Sequence, residues 1–452
     1  MKEINQSTKS NLAFLISRIE SDRPLVSFND KLIDVGELID CAHELRAGTL
    51  KDLFNQDVAV CISDSLTYIQ SLIALDGFAK SILILPPSLN SDIAAALIKE
   101  SSCAYLFDGK SLSNLNESGI PETKVQTAAS NKLKTNWILA TSGTTGTPKL
   151  IYHTLGSLIS TTKQDISRGK DYCWGLVYEP TRFAGLQVLL QSLISGSKLV
   201  IPSSNNFNEQ ISTYIEGKVN ALSATPSWWR KLLMLPNSNL RLKVISIGGE
   251  IVDQTLLNQL LQTFQSAKIT HIYASTEAGV GFSVKDGKAG FPIEWLEEST
   301  DSKVKLKVSN EGHLLIKPRA SASGKAMNER VNADGFIDTQ DLVQIIDDRV
   351  LFKGRSNGAI NIGGSKVQPE EVEEVIRHHP QVKDVLVLPK KSALIGELVQ
   401  AKVVIKDESV DKKLLKKEII ELCKSSLEGY KVPALISYVG ALEYNSTGKL
   451  IR

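Results

Sequence analysis

The chain has 452 residues and a formal net charge of +2. That charge provides no field to draw in nucleic acid or an anionic membrane surface, and no apolar run nears the ~20 residues of a membrane span. With 42% hydrophobic and 23% charged residues, the composition excludes a disordered chain and predicts a soluble protein of two or three domains.

The start of the chain, through "NLAFLISRIE", reads as an amphipathic helix, its apolar stretch being too short for a signal peptide. "VAVCIS" from Val58 is a buried strand and "LTYIQSLIALDGFAK" a helix. "SILILPP" is a second strand, "SDIAAALIKES" a helix capped by Ser91, and "CAYLF" a third strand. A βαβαβ order predicts a parallel sheet covered by helices. The pattern returns in "LKVISIGGE", in the helix "DQTLLNQLLQTFQ" capped near Asp253, and in the strand "ITHIYAS". From about Lys303, short strands separated by "NEG", "ADG" and "DDR" predict antiparallel sheet or a small barrel. The glycine-rich piece Gly354–Gly364 reads as a linker. A mixed section follows it: helix "PEEVEEVIRHH", strands "VKDVLVLP" and "ELVQAKVVIK", helix "DKKLLKKEIIELCKSSL". The cysteines Cys41, Cys61, Cys103, Cys173 and Cys423 form no CxxC pair, which predicts a reducing, cytoplasmic setting and neither a disulfide framework nor a zinc site.

"TSGTTGTPK", Thr141 to Lys149, has the composition of a phosphate-binding loop. It is not a P-loop. Counted from Gly143, Pro148 stands where the second glycine belongs, and Leu150 follows Lys149 where Ser or Thr should bind magnesium. "WILA" before the loop is a strand and "KLIYH" after it is another strand, so no helix N-terminus faces a phosphate. What remains is five hydroxyls, backbone N–H groups loosened by Gly143 and Gly146, and one cation, Lys149. Such a set grips a polyphosphate without a helix; taken alone, it is equally an ordinary Ser/Thr/Gly surface loop.

The order TSGTTGTPK, "YASTEAG", "DTQDL", "GRSNGAINIGGSKVQPEEVEE" and terminal "NSTGKLIR", running from about Val58 to Arg452, resembles the adenylate-forming superfamily of acyl-CoA synthetases, adenylation enzymes and luciferases. The resemblance implies an α/β fold: a large N-terminal domain of two α/β sheets plus a small β-barrel (residues 1–353, with a trimmed N-terminal subdomain), a hinge (354–357), and a small mobile C-terminal α+β domain (358–452). It implies that a carboxylate and ATP give acyl-AMP and pyrophosphate, after which a thiol displaces AMP.

By the same resemblance, Thr141, Ser142, Gly143, Thr144, Thr145, Gly146 and Lys149 hold the phosphates, with Thr276 beside them. Glu277 holds Mg2+, with Thr144 as a second metal contact. Tyr273 stacks on adenine, and Gly248, Gly249, Glu250 and Ala274 line its slot. Ala274 stands where the family has Gly. Asp341 accepts from the ribose hydroxyls, although Gln340 replaces the glycine of the usual Thr-Gly-Asp. Arg355 contacts ribose or phosphate, Asn357 is the pivot, and Gly363 and Gly364 pass the pantetheine arm. Lys449 enters the site and bridges substrate carboxylate and α-phosphate.

"VYEPTRFAGLQVLLQSLISGSKLVI" resembles the segment leading the acyl pocket. Arg182, Phe183 and Gly185 belong to it, and Trp228 or Trp229 would add an aromatic wall. Arg182 either meets a second anionic group on the acid or pairs with Glu179 and shapes the wall. A medium-sized or aryl acid is expected. Three functions stay open: an acid–thiol ligase using CoA, an adenylating enzyme that loads the phosphopantetheine of a separate carrier protein, and a nucleotide-binding protein that has lost catalysis. The retained Lys149, Glu277, Asp341, Arg355 and Lys449 argue against the third.

Overall fold

The computed structural model describes residues 11–115, 133–141, 148–235, 239–296, 304–317, 331–362, 365–392, 396–444 and 450–451. They form four sheets. The expected α/β layout holds, with a large N-terminal part and a small C-terminal one.

The first parallel sheet has six strands. Asp57–Val60, Ser81–Ile84 and Tyr105–Phe107 run parallel with Asn136–Thr141, and the sheet ends on the antiparallel strand Lys149–Thr154. Its central strands are apolar on both faces: all four residues of Ser81–Ile84 are buried. That is the signature of a sheet covered on both sides. The helix Ser91–Glu100 covers one side, capped by Asn90, not Ser91: the Asn90 carboxamide accepts from the amides of Asp92 and Ile93.

The second sheet has eight strands, in spatial order Gly279–Val284, Lys268–Ser275, Val244–Gly248, Ala221–Ala224, Cys173–Gly175, Lys198–Ile201, Pro24–Phe28 and Lys31–Asp34. The last two form a hairpin absent from the sequence-based expectation. Its turn, Asn29-Asp30, has φ of 49° and 60°, the left-handed pair that a two-residue hairpin requires and that Asn and Asp tolerate best.

One large core joins the two sheets, filled by the helices Leu12–Ile16, Ser65–Leu75 and Phe183–Ser195. Polar groups lock it at one point. Buried Asp76 accepts from the Leu12 amide at 2.7 Å and from Trp137 Nε1 at 2.8 Å. The N-terminal helix is thereby tied to the strand that leads into the Thr141 loop. Burial, partly offset by these bonds and by Arg46, raises the Asp76 carboxyl to about 6.

The third sheet is antiparallel and five-stranded: Phe291–Pro292, Arg349–Arg355, Ile337–Ile346, His313–Lys317, Lys305–Val308. "GFIDT" and "LVQIID", expected as separate strands, are one strand with a break at Gln340, whose φ is 60°. The fourth sheet begins inside the expected linker, at Ile360–Ile362, and carries the helices Pro369–Arg377 and Lys412–Ser426. At the junction the left-handed residue is Gly354, with φ 141°, and not Asn357. A Cβ on Gly354 would lie 2.5 Å from Gln368 Oε1 and 2.9 Å from Glu370 Oε2, so only glycine lets the C-terminal part approach here. No helix among the described residues is long and apolar enough to cross a membrane.

Candidate active site

A cleft of about 1840 Å³ lies between the two parallel sheets and the third sheet. One face of the eight-stranded sheet floors it. Strand side chains alternate, and the even-numbered residues Val244, Ser246, Gly248, Lys268, Thr270, Ile272 and Ala274 all point to the cleft. Gly248 is glycine for a steric reason: a Cβ would sit 2.8 Å from the Ile272 carbonyl oxygen. Gly249 follows at φ 86° and turns the chain away from the floor.

The two strands expected on either side of the phosphate loop are present. Thr141 and Lys149 face each other at the end of the antiparallel pair. Ser142, Gly143, Thr144, Thr145 and Gly146 lie outside the described residues, as do Gly363, Gly364 and Lys449. Thr141 lines the cleft.

Thr276 and Glu277 line the same cleft, held there by a residue the sequence reading missed. His153, on the return strand of the loop hairpin, puts Nε2 2.9 Å from the Thr276 carbonyl oxygen. The carbonyl can only accept, so Nε2 carries the proton. Burial lowers the His153 imidazole below its ordinary value, opposed by the Thr276 carbonyl and the Glu277 charge, and the neutral ring with its proton on Nε2 is enough to make this bond. One ring therefore links the loop hairpin to the Thr276–Glu277 corner. Strand alternation was the available signal: His153 faces inward with Ile151, opposite Trp137.

Tyr273 departs from expectation. Its ring lies nearly parallel to Phe282 and Phe352, with centroids 5.1 and 5.2 Å away. Its hydroxyl donates to Asp341 Oδ2, and it is not part of the cleft wall. Stacking on adenine would require the ring to leave at least one phenylalanine. Burial, then the Asp341 charge, drives the Tyr273 hydroxyl well above its usual value, so it stays a donor. Asp341 Oδ1 accepts from Arg355 Nε at 2.8 Å. A carboxylate has about four lone-pair sites and two are used; Asp341, expected to meet the ribose, is not itself part of the cleft wall. Arg355 lines the cleft.

Gln340 adopts a left-handed conformation, with φ 60°, which costs a non-glycine residue about 1–2 kcal/mol. Its amide donates to Asp338 Oδ1 and its carbonyl accepts from Ser356, fixing the turn from both sides. Gln340→Gly is expected to be neutral or stabilising by up to ~1 kcal/mol. Gln340→Val is expected to destabilise by about 1–2 kcal/mol, since β-branched residues are outliers at positive φ. Urea unfolding of both variants checks this; equal midpoints would remove the strain argument.

Glu250 also differs from expectation. Gly248 and Gly249 line the cleft and Glu250 does not. Its carboxylate accepts from the amide and hydroxyl of Ser227 at 2.9 and 2.6 Å, and from the Leu450 amide at 3.3 Å.

On the acyl side, Arg182 and Phe183 line the cleft. Arg182 Nε lies 3.6 Å from Glu179 Oε2, so the wall-shaping pair is present. Gly185 is a packing residue: a Cβ there would come 2.1 Å from the Glu179 carbonyl oxygen. Gly185→Ala is therefore expected to cost about 1–3 kcal/mol by overpacking, measured by thermal or urea unfolding; wild-type stability would show that the 179–180 backbone yields freely. Trp228 does not supply an aromatic wall. It packs edge-on to Phe207 and Trp229, and Trp229 donates Nε1 to the Ser246 carbonyl. Both rings are buried in the core on the sheet's far side. Asn357 is exposed in the turn after Arg355.

The fold has solved counterparts. The anthranilate CoA ligase AuaEII in complex with anthranoyl-AMP superposes with a TM-score of 0.79 at 18% identity, covering 97% of this chain and 95% of that one. The o-succinylbenzoate CoA synthetase of Bacillus subtilis, in complex with its acyl-adenylate intermediate, gives 0.71 at 19% identity, covering 98% and 96%. In sequence, the 2-succinylbenzoate–CoA ligase of Listeria innocua serovar 6a is 26% identical over 343 residues, 71% of this chain and 69% of that protein. A mitochondrial acyl-coenzyme A synthetase of Homo sapiens, ACSM2A, is 25% identical over 389 residues, 79% and 66%. Residues 55–319 match the model for the AMP-binding enzyme, and residues 371–449 match that for its C-terminal domain. The chain belongs to the AMP-binding enzyme family, as its resemblance to the adenylate-forming superfamily implied.

Proposed function

We propose that the protein joins a carboxylic acid to CoA through an acyl-AMP. The observation that carries this reading is the His153 bond. It fastens the loop hairpin to the Thr276–Glu277 corner on one cleft, whose further wall carries Arg182 and Phe183. The acid's carboxylate oxygen attacks the α-phosphorus of ATP, and the bond to pyrophosphate breaks. The thiolate of CoA then attacks the acyl carbonyl, and AMP leaves with the electron pair. The first step brings together two anions, so its barrier is mostly charge and alignment. Residues 141–149 would hold the departing pyrophosphate. Arg355, fixed by Asp341, would meet ribose or α-phosphate, and Lys449 would bridge the reacting groups.

A magnesium ion fits the donor set. Glu277 offers carboxylate oxygen and Thr141 a hydroxyl on the same cleft, and hard cations prefer oxygen. No group of three His, Cys, Asp or Glu able to hold a metal occurs among the described residues. The ion would thus be shared with phosphate oxygens, whose charge it would offset. Residues 1–353 would form the nucleotide-binding part, 354–357 the hinge and 358–452 the moving part.

The acid is medium-sized or aromatic on this reading. If Arg182 also meets an anionic tail, Arg182→Ala will weaken acceptance of such acids selectively; equal loss for neutral acids leaves only the wall-shaping pair with Glu179. The deciding experiment is ATP–pyrophosphate exchange with a panel of acids, followed by CoA or candidate carrier proteins. Exchange with no acid would overturn the reading, and transfer to a carrier but not to CoA would move it to the carrier-loading alternative.

A further inference from the structure

We propose that Glu250 is a positioning residue that latches the terminal segment of the chain to the large domain during acyl-AMP formation. The inference rests on the function proposed above. Glu250 closes the Gly248–Gly249 turn that walls the cleft. Its two carboxylate oxygens serve different masters. Oε2 accepts from the Ser227 amide and hydroxyl at the start of the helix Pro226–Leu233. Oε1 accepts from the Leu450 amide, 200 positions along the chain. The first pair holds the carboxylate rigidly on the large domain. The second bond reaches the small one.

The terminal segment is anchored on its own domain as well. Tyr444 and Leu450 form an antiparallel bridge, and the Ile451 amide donates to the Glu443 carbonyl. Tyr444 donates its hydroxyl to Asp384 at 3.2 Å. Both flanks pack on Leu386, Val404 and Leu442. The Asp384 anchor lies within the small C-terminal part, so a rigid-body movement of that part would leave it intact. The Glu250 bond instead joins the C-terminal segment to the Gly248–Gly249 turn, 200 positions earlier in the chain, so a movement of the small domain against the large one would break it. Leu450 directly follows Lys449 in sequence, the residue that the function proposed above assigns to the reacting groups, and on that reading holding the Leu450 amide is how Glu250 bears on the first half-reaction. A bond from an ionised acceptor is stronger than a neutral one, and a displacement of ~1 Å at a reacting group is costly.

Three variants separate latch from scaffold. Glu250→Ala removes both functions. Ser227→Ala removes one bond of the scaffold and leaves Oε1 on Leu450. Glu250→Gln keeps an uncharged acceptor. Two measurements are made on each: hydrogen exchange at the Leu450 and Ile451 amides, and the two half-reactions, acyl-AMP formation and thioester formation from pre-made acyl-AMP. In Glu250→Ala, Leu450 is expected to exchange faster while Ile451 stays as in wild type, and acyl-AMP formation should fall tenfold or more with thioester formation preserved. Ser227→Ala should change both half-reactions equally, and Glu250→Gln should fall between wild type and Glu250→Ala. Unchanged Leu450 exchange in Glu250→Ala, or equal loss of the two half-reactions, overturns the latch. A wild-type protein that exchanges pyrophosphate with no acid overturns the proposed function, while the amide data still judge the contact.

Discussion

Lys449→Ala is expected to slow acyl-AMP formation by about 10²–10³-fold, the loss of ~2.7–4 kcal/mol typical when one charge-stabilising group is removed. Thioester formation from pre-made acyl-AMP and CoA should be preserved. The asymmetry follows from charge. A cation between carboxylate and α-phosphate helps while two anions are being joined. Once pyrophosphate has gone, a thiolate attacks a carbonyl and that need falls. Asn357→Pro makes the complementary test. Among the described residues the Asn357 amide makes no backbone hydrogen bond, but Asn357 is the third residue of the turn closed by the Gly358 amide on the Arg355 carbonyl; proline there pushes Ser356 out of its helical conformation and so locks the junction in a different shape. It should spare one half-reaction and impair the other. Rapid-quench measurement of both steps on both variants decides the matter: equal slowing of the two steps by Lys449→Ala would end the case for domain alternation.

The parts legible in the sequence were those that local chemistry decides. Buried strands such as Ser81–Ile84, the Asp253 cap and the failure of the P-loop pattern all follow from near neighbours in the chain. The hairpin at Pro24–Asp34 was missed although Asn29-Asp30 signals its turn, because its sheet partner, Lys198–Ile201, lies about 170 positions away. Trp228 or Trp229 was expected on the acyl wall; nothing local says that their helix packs on the far face of the sheet. Tyr273 was expected to stack on adenine, and only register shows Phe282 directly across from it. Glu250 looked like part of a nucleotide slot because its glycines are. Its own partners, Ser227 and Leu450, come from two remote segments that no local rule connects. Gln340 was singled out only because it replaces a glycine; that its backbone sits at φ 60° is visible in the structure alone.

Glu277→Ala is the second large effect expected. Glu277 is on the cleft wall and its corner is braced through the Thr276 carbonyl, so the backbone should keep its place when the carboxylate goes. The thermal midpoint should therefore match wild type. Pyrophosphate exchange should fall by about 10²-fold or more, since a carboxylate-held cation supplies several kcal/mol of charge stabilisation. Glu277→Gln keeps the shape and loses the charge. If metal binding is the role, it should be nearly as impaired as the alanine variant, and added magnesium should recover part of the rate in both. His153→Ala attacks the same corner differently. It keeps the Glu277 carboxylate and removes the brace, so its loss should be smaller, and added magnesium should recover less of it. A magnesium titration of exchange activity across the three variants separates ligand from brace. Full activity in Glu277→Gln at wild-type magnesium, with an unchanged midpoint, would show that the carboxylate's charge is not what this corner contributes.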